Sequence, residues 1–316
     1  MQLFSKLTTI DFIGLRRLAL VVSIVLISAS IYSLTTTGLN RGIDFSGGTK
    51  IELGYPQDVS VLDLRSTLES NGYPQAVVQY FGSNKDILIR IPLSDDNSDD
   101  KVSTKIVALL ADSPIGSGEV RSVEFVGPTF GQELIEKGIL ALVYALIGVM
   151  IYVAFRFEWK FSLGSVVALI HDIVITLGIF SLLKLEFTLP VLAALLAVIG
   201  YSLNDTIVVF DRIRENFRKV RETDTVEIMN LSVNQTLPRT ILTSLTTLLV
   251  LLALYFFGGD SLQGFSVALI IGVLIGTYSS IFVASPVVLA LGVTKQDLIR
   301  EKIEKEGVDV DLDLIP

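Results

Sequence analysis

The sequence predicts an α-helical membrane protein that crosses the bilayer six times and carries one α+β domain outside it. The chain has 316 residues, of which 51% are hydrophobic and 18% are charged, and its mean hydropathy is +0.63. This composition is too apolar for an ordinary soluble protein. The apolar residues are concentrated in six runs, and a polar segment of about 100 residues separates the first run from the second.

The six apolar runs meet the length of about 18–25 residues that a helix needs to cross a bilayer. We expect the last run, which is the longest, to tilt or to extend beyond the bilayer. An even number of spans places both termini on the same side of the membrane. In chain order, the predicted spans are residues 17–36, 137–155, 162–183, 188–210, 238–257 and 264–291.

Lys and Arg residues decide which side of the membrane each loop occupies. If both termini are inside, the inner segments carry several clusters of Lys and Arg, whereas the two short outer loops contain only Lys184. Positive residues accumulate in cytoplasmic loops, so residues 1–16 and 292–316 are expected to be cytoplasmic. The first run could alternatively be a signal peptide. No clean Ala-x-Ala cleavage site follows it, and we expect it to remain as a span.

Residues 37–136 are predicted to form a small water-soluble domain on the outer side of the membrane. The expected order of elements is β-α-β-β-α-β, which matches the ferredoxin-like motif. In such a domain helices cover one face of the sheet, and the other face is available to a partner. The expected strands are Lys50–Tyr55, Ala76–Phe81, Asp86–Pro92 and Glu119–Val126, the expected helices are Val59–Ser70 and Val102–Leu110, and a turn is expected at Gly82-Ser83-Asn84.

Composition excludes several kinds of site. The chain has no cysteine and one histidine, His171. Disulfides, thiolate catalysis, cysteine-ligated metal centres and multi-histidine metal sites are therefore excluded. The acidic segment Ser94–Asp100 loosely resembles a calcium loop, but it lacks the glycine and the distal glutamate of an EF-hand, and we interpret it as a solvated turn. We expect no metal, no cofactor and no enzymatic activity.

A glycine-dense segment, Gly-Ile-Asp-Phe-Ser-Gly-Gly at residues 42–48, joins the first span to the outer domain. Gly47 and Gly48 permit positive φ angles or close approach of the backbone. The segment lacks the strand, the spacing and the following helix of a nucleotide-binding loop. We therefore interpret Gly42, Asp44, Gly47 and Gly48 as a tight junction or hinge.

Two charged residues stand out within the membrane-spanning runs. Asp205 lies inside the fourth predicted span, and Arg239 lies at the start of the fifth. An ionisable side chain at this depth costs several kcal/mol by most estimates and usually marks an ion or proton pathway. Consecutive antiparallel spans pack side by side, so the two residues are expected at a similar depth. The pattern predicts a proton site, with a static ion pair that fixes helix register as the alternative.

Several polar residues accompany this pair. Thr243 and Thr247 follow Arg239 at four-residue spacing, and Ser202 and Asn204 precede Asp205. Each is weak evidence alone, because a hydroxyl in a membrane helix can bond to its own backbone. His171 and Asp172 form a second polar pair in the third span, suited equally to a proton relay or to an interhelical contact. An aspartyl hydrolase would need two facing carboxylates, for which Asp172 and Asp205 are the only obvious pair.

Stripes of small residues predict close packing between helices. One stripe lies on the fourth span and the other on the sixth. Between the fourth and fifth spans, a short helix at 225–236 is expected to lie along the membrane surface. The stripes consist of Ala193, Ala197, Gly200 and Asn204 on the fourth span, and of Ala268, Gly272, Gly276, Ser280 and Ala284 on the sixth.

Five segments together resemble the SecD/SecF family of protein-export membrane proteins, in the RND superfamily. The resemblance covers nearly the whole chain and is most specific in the fourth and fifth spans. The segments are GIDFSGGT at 42–49, VGPTFGQEL at 126–134, ALIHD at 168–172, GYSLNDTIVVFDRIRENFR at 200–218 and NQTLPRTILTSLTT at 234–247.

The resemblance implies a function and partners. The six-span unit would be half of an RND-type transporter that pairs with SecD in the inner membrane of a bacterium. The complex would associate with the SecYEG channel, with YajC as a further candidate partner, and would use the proton gradient to draw preproteins into the periplasm. Asp205 and Arg239 match the family's proton-transport residues. No nucleic-acid partner is expected, and a structural assembly subunit without proton transport remains the alternative.

Overall fold

The computed structural model of the protein describes residues 9–93, 101–220 and 224–294. The predicted acidic turn at Ser94–Asp100 and the tail from residue 295 lie outside these residues. In chain order, the elements are α1 (Arg16–Thr36), β1 (Asn40–Arg41), α2 (Ile43–Ser46), β2 (Gly48–Gly54), α3 (Val61–Ser70), β3 (Val77–Phe81), β4 (Ser83–Pro92), α4 (Val102–Ala111), β5 (Glu119–Val126), α5 (Pro128–Arg156), α6 (Trp159–Leu182), β6 (Glu186–Phe187), α7 (Leu189–Lys219), α8 (Thr225–Phe257), α9 (Asp260–Ser279), a π-helical turn (Ser280–Ala284) and α10 (Ser285–Ala290).

Six helical segments in the described part of the chain are long and apolar enough to cross a membrane, which confirms the predicted number. They are α1, α5, α6, α7, α8 and the continuous run from α9 to α10. Several extend beyond the predicted spans: α5 begins at Pro128 and α7 ends at Lys219. Hydropathy marks only the part of a helix that lies in lipid, and the backbone bonding continues into the polar flanks.

The predicted surface helix at 225–236 is wrong as a separate element. The segment is the first part of α8, which continues through Pro238. Ile228, Met229 and Val233 are fully buried in one apolar cluster with residues of α7, including Phe210. Because this face packs against the extended end of α7, the segment stays in line with the fifth span rather than lying flat on the membrane.

Hydrogen bonds attach the segment before α1 to the first turns of α8. The Asn234 side chain accepts from the Ile10 amide at 3.0 Å and donates to the Ile10 carbonyl at 2.8 Å. Asn230 accepts from the Ile13 amide at 2.9 Å and donates to the Asp11 carboxylate at 2.6 Å. These bonds provide partners for the backbone amides of Ile10 and Ile13 and for the Ile10 carbonyl, which lie before the start of α1.

Acidification will loosen this attachment. The Gly14 amide and the Asn230 side chain both donate to Asp11 and hold its pKa below the ordinary value of 3.8. The folded state prefers the ionised form, so the stabilisation is complete above about pH 4 and is lost as the pH falls further. We expect the melting temperature of the detergent-solubilised chain to fall with pH in this window. The Asp11→Ala variant should lack this fall in melting temperature. If its melting temperature depends on pH as that of the wild type does, Asp11 is not the group responsible.

The outer domain has the predicted order of strands and helices. Its four-stranded antiparallel sheet has the order β3-β4-β2-β5, and α3 and α4 cover one face. This is the ferredoxin-like arrangement expected from the sequence. The predicted turn at Gly82-Ser83-Asn84 is tighter than expected, because Phe81 pairs with Ser83 and leaves only Gly82 at the tip with a φ of 79°.

The two predicted small-residue stripes have different surroundings. The stripe on α9 is packed inside the bundle: a side chain at Gly272 would meet Val198 of α7, and one at Gly276 would meet Ser202. The stripe on α7, from Ala193 to Asn204, is exposed along its length. The first stripe therefore brings α7 and α9 together, and the second is not used for packing within this chain.

Candidate functional site

Asp205 lies on α7, on the side that faces the bundle. Its side chain is only 3% exposed, and its Oδ2 atom has no hydrogen-bond partner among the described residues. About 24 Å of helix separates it from the start of α7 at Leu189. A buried carboxylate oxygen without a partner is costly, so this oxygen of Asp205 does not stabilise the fold through a hydrogen bond.

Arg239 lies on α8, directly after Pro238. Its side chain is exposed in this chain. No ion pair within 4.0 Å joins it to Asp205 in the described part of the protein. The structure therefore places the two predicted residues on neighbouring helices without the direct contact that a static ion pair would show.

The polar residues near the pair divide into two groups. Thr243 donates to the carbonyl oxygen of Arg239 at 3.1 Å, so its hydroxyl is occupied by its own helix. Thr247 is half-buried, and Asn204 is exposed on the small-residue stripe of α7. Thr240, which sequence reasoning missed, is buried and its Oγ1 has no partner among the described residues. The sequence feature that could have identified Thr240 is its position next to Arg239.

Asp172 is the centre of a second buried site, on α6. Its Oδ2 accepts a hydrogen bond from Ser202 of α7 at 2.6 Å and another from Ser279 of α9 at 2.8 Å. Its Oδ1 lies 3.0 Å from Nδ1 of His171. The carboxylate is therefore fully occupied by serine and imidazole groups. In the described structure no hydrogen bond joins it directly to Asp205.

His171 extends this network to α1. Its Nε2 lies 3.2 Å from the hydroxyl of Ser23, which in turn lies 3.1 Å from the hydroxyl of Tyr278 on α9. Tyr278 donates to the carbonyl oxygen of Ala19 at 2.8 Å. The His171 and Tyr278 rings are stacked, with their centroids 6.0 Å apart. The network therefore joins α1, α6, α7 and α9 through side chains that are mostly buried.

The glycine-dense junction attaches the α+β domain to the N-terminal end of α7. Asp44 accepts a hydrogen bond from the Leu189 amide at 2.7 Å and so caps the first turn of α7 from a distant segment. The short strands β1 and β6 pair in parallel, and the Gly42 amide donates to the Phe187 carbonyl at 2.8 Å. Phe187 stacks on Phe45 of α2. Nothing in the local sequence predicted this pairing.

Gly47 and Gly48 both use the conformations that only glycine adopts easily. Gly47 has a φ of 73° and ends α2, and Gly48 has a φ of 145° and begins β2. A Cβ atom at Gly48 would collide with the backbone carbonyl oxygen of Ile91 in the paired strand β4. The two glycines therefore turn the chain sharply from the junction into the central strand of the sheet.

An ion pair connects the same sheet to the loop before α7. Arg90 of β4 pairs with Glu186 of β6, and the two side chains are 15% and 26% exposed. Arg90 also donates to Gln79 at 3.0 Å. Burial lowers the pKa of the Arg90 guanidinium, which still remains protonated at any physiological pH. Together with Asp44, this pair gives the outer domain a second polar link to the α6–α7 loop.

Comparison with known protein families agrees with this architecture. The family model described as "Protein export membrane protein SecD/SecF, C-terminal" matches residues 107–294. A second model, the SecD/SecF GG motif, matches residues 32–59, which include the glycine-dense junction. Together the two models cover the junction and the spans from α5 onward, but only residues 32–36 of α1.

Relatives of similar length are also found. The protein translocase subunit SecF of Vibrio alginolyticus is 47% identical over 310 residues, which cover 98% of each chain. That of Pseudomonas aeruginosa is 49% identical, with 96% of this chain and 98% of the relative covered. That of Escherichia coli O157:H7 is 45% identical, with 95% and 93% covered.

Solved structures of SecDF share the fold. The crystal structure of SecDF from Thermus thermophilus, a translocon-associated membrane protein, superposes with a TM-score of 0.78 and 40% identity over 90% of this chain. The crystal structure of SecDF in its super-membrane-facing form superposes with a TM-score of 0.69 and is 40% identical over 92% of this chain. The chain spans 39% of the length of each SecDF chain. This protein therefore belongs to the SecD/SecF family of protein-export membrane proteins, among the SecF members that are named as protein translocase subunits.

Proposed function

We propose that this chain is a proton-motive-force-coupled subunit of the Sec preprotein translocase, in which Asp205 binds and releases the proton. The observation that carries this proposal is the buried Asp205 carboxylate with an oxygen that has no partner among the described residues. Such a group is available to take up a proton or water. A purely structural carboxylate is expected to have its oxygens satisfied, as those of Asp172 are.

Arg239 acts in this proposal as an electrostatic gate. Its guanidinium remains charged throughout, so it favours the ionised form of Asp205 and has less attraction for the neutral form. Because no direct ion pair holds the two side chains in the described structure, the carboxylate is free to exchange its proton. Thr240, with its buried and unpartnered hydroxyl on the same helix, is the polar group we place next to this path.

The proposed complex contains a SecD-type partner. Transporters built from repeats of this kind need two halves, and this chain spans 39% of the SecDF chains it resembles. The exposed stripe from Ala193 to Asn204 and the exposed Arg239 supply a surface for the second half. We place the complex in the bacterial inner membrane with both termini cytoplasmic, assisting the SecYEG channel and the periplasmic preprotein, with YajC as a further candidate partner.

Helix α7 provides the route from the proton site to the outer domain. Asp205 lies on α7, and the outer end of α7 is capped by Asp44 and linked to the sheet through Arg90 and Glu186. A displacement of α7 on protonation would therefore move the domain. One proton that crosses a potential of 100 mV supplies about 2.3 kcal/mol, before any pH-gradient contribution. Packed helices with two discrete arrangements amplify small changes of this kind.

Reconstitution tests this proposal against a structural assembly role. The chain is incorporated into proteoliposomes with its SecD-type partner and the SecYEG channel, and export and internal pH are followed with and without a proton gradient. We expect the gradient to stimulate export and export to be accompanied by proton entry. If the complex assists export equally well after an uncoupler collapses the gradient, the assembly role is correct and the proton-coupled role is not.

Disrupting the Arg90–Glu186 pair is expected to separate proton flux from export. In the Glu186→Arg variant, like charges replace the ion pair, so the outer domain loses one of its links to α7 while Asp205 is untouched. We expect proton flux to continue and stimulated export to fall about fivefold, which corresponds to ~1 kcal/mol. The double variant Arg90→Glu with Glu186→Arg restores the pair and should recover most of the export.

The matched control is an ion pair within the outer domain. Arg121 and Asp86 lie 2.5 Å apart, and both belong to the sheet. The Arg121→Glu variant makes an equivalent charge reversal without touching the link to α7, and export should stay near the wild-type level. Equal losses of export in Glu186→Arg and Arg121→Glu would show that the Arg90–Glu186 link has no special part in coupling.

A further inference from the structure

Asp172 is a buried ionisable group that the proposed proton path does not use. Its side chain is 0% exposed. No Lys or Arg in the described residues forms an ion pair with it, and the one ionisable side chain bonded to it is His171. A carboxylate in such surroundings is destabilising unless its oxygens are well bonded. Its oxygens are bonded by His171, Ser202 and Ser279, so these contacts indicate what the carboxylate does.

The contacts of Asp172 tie α6 to the helix that carries Asp205. Ser202 donates to Asp172 at 2.6 Å, the shortest bond in the network, and Ser279 donates to the same oxygen at 2.8 Å. Hydrogen bonds from hydroxyl groups to a carboxylate are short and strong because the acceptor is charged. One carboxylate oxygen thus fixes α7 and α9 against α6 at a single point.

That point lies one helical turn from Asp205. Residues three apart on a helix are neighbours on its surface, so Ser202 sets the rotation of the turn that carries Asp205. The backbone contact with α9 is also close here, since a Cβ atom at Gly276 would lie 3.0 Å from the Cβ atom of Ser202. A rotation of α7 that re-aims Asp205 must therefore stretch or break the bond between Ser202 and Asp172.

We propose that Asp172 is a positioning residue for Asp205, acting through Ser202, so that the Ser202–Asp172 bond sets the orientation in which the proton site works. This inference rests on the proposed function, because it assigns a role relative to that proton site. The ionisable groups in the network are His171, bonded directly to Asp172, and Tyr278, which reaches His171 through Ser23. On α7, the ionisable group one helical turn from Ser202 is Asp205 itself.

The test uses Ser202→Ala and Asp172→Asn in the chain reconstituted with its SecD-type partner. We expect proton flux to fall about tenfold and the pH of half-maximal flux to shift by about half a unit or more, because Asp205 is held in a changed environment. The matched control is Ser181→Ala, also on α6, which removes an equally buried interhelical bond to Ser33, 2.8 Å long. It should leave the pH profile unchanged.

A second readout follows the position of α7 without reference to protons. The chain has no cysteine, so a pair introduced as Val198→Cys and Gly272→Cys reports on α7 and α9 alone. A Cβ atom at residue 272 would lie 3.0 Å from that of Val198, so a separation of the helices by about 0.5 Å brings the pair to the distance that a disulfide requires. We expect oxidative cross-linking to fall in Ser202→Ala and Asp172→Asn and to persist in Ser181→Ala.

The outcomes separate this inference from the proposed function. If Ser202→Ala folds and keeps the wild-type pH profile and cross-linking while Asp205→Asn abolishes flux, the positioning role is overturned and the proton site stands. If Asp205→Asn retains flux while Ser202→Ala reduces cross-linking, α7 is held as inferred but Asp205 is not the proton carrier. Should Asp172→Asn fail to fold, Ser202→Ala, which removes one hydroxyl group, decides alone.

Discussion

Replacing Asp205 by asparagine will abolish proton flux through the reconstituted complex. The amide has nearly the shape of the carboxylate but does not bind and release a proton near neutral pH. The side chain is buried, and its Oδ2 makes no hydrogen bond within the described residues that the substitution would break. We therefore expect the variant to fold normally and its flux to fall on the order of 100-fold, similar to the loss of an essential acid–base group.

The control for this experiment is an aspartate on the same helix. Asp211 lies six positions further along α7 and forms an exposed ion pair with Arg156 at 3.2 Å. Exposed pairs of this kind contribute little to stability, so Asp211→Asn should retain flux and export. Proton entry is measured with a pH-sensitive dye inside proteoliposomes under an imposed gradient. Undiminished flux in Asp205→Asn would remove the carboxylate from the mechanism.

The sequence predicted the elements of the fold because their signals are local. Membrane spans follow from runs of apolar residues, and the strands and helices of the outer domain follow from short periodic patterns. The β1–β6 pair had no such signal, since the α+β domain and two membrane-spanning helices separate Asn40 from Glu186 in the chain. The full length of α8 was missed because Pro238 usually marks the start of a helix, whereas here the helix continues through it.

The charged residues of the candidate site could be identified from the sequence, but the residues that form hydrogen bonds with them could not. Asp205 and Asp172 attract notice because carboxylates are rare in membrane spans. Ser202 was noticed only as a polar neighbour of Asp205, and Ser23 and Ser279 gave no comparable signal, since a serine in a membrane helix usually bonds to its own backbone. Which serines bond to Asp172 depends on how four helices pack. The exposure of Arg239 in this chain is likewise a result of packing that its position in the sequence does not reveal.

Replacing Gly48 by alanine will destabilise the outer domain more than the same replacement at any glycine in the turns of the domain. Gly48 has a φ of 145°, and a Cβ atom there would collide with the Ile91 carbonyl oxygen, a backbone atom that is itself held in the sheet. Strain of the backbone and displacement of the paired strand act together. We expect Gly48→Ala to lower the free energy of unfolding of the domain by about 3 kcal/mol.

Gly72→Ala separates the collision from the backbone strain. Gly72 also has a positive φ, 93°, but no atom outside its immediate chain neighbours lies within 4 Å of the Cβ position there. Its replacement should cost only about 1 kcal/mol. Both variants are compared in the full chain in detergent by pulse proteolysis in urea. Equal urea midpoints for the two variants would show that close packing against Ile91 does not explain the glycine at position 48. A midpoint lower by about 1 M or more in Gly48→Ala is the expected result.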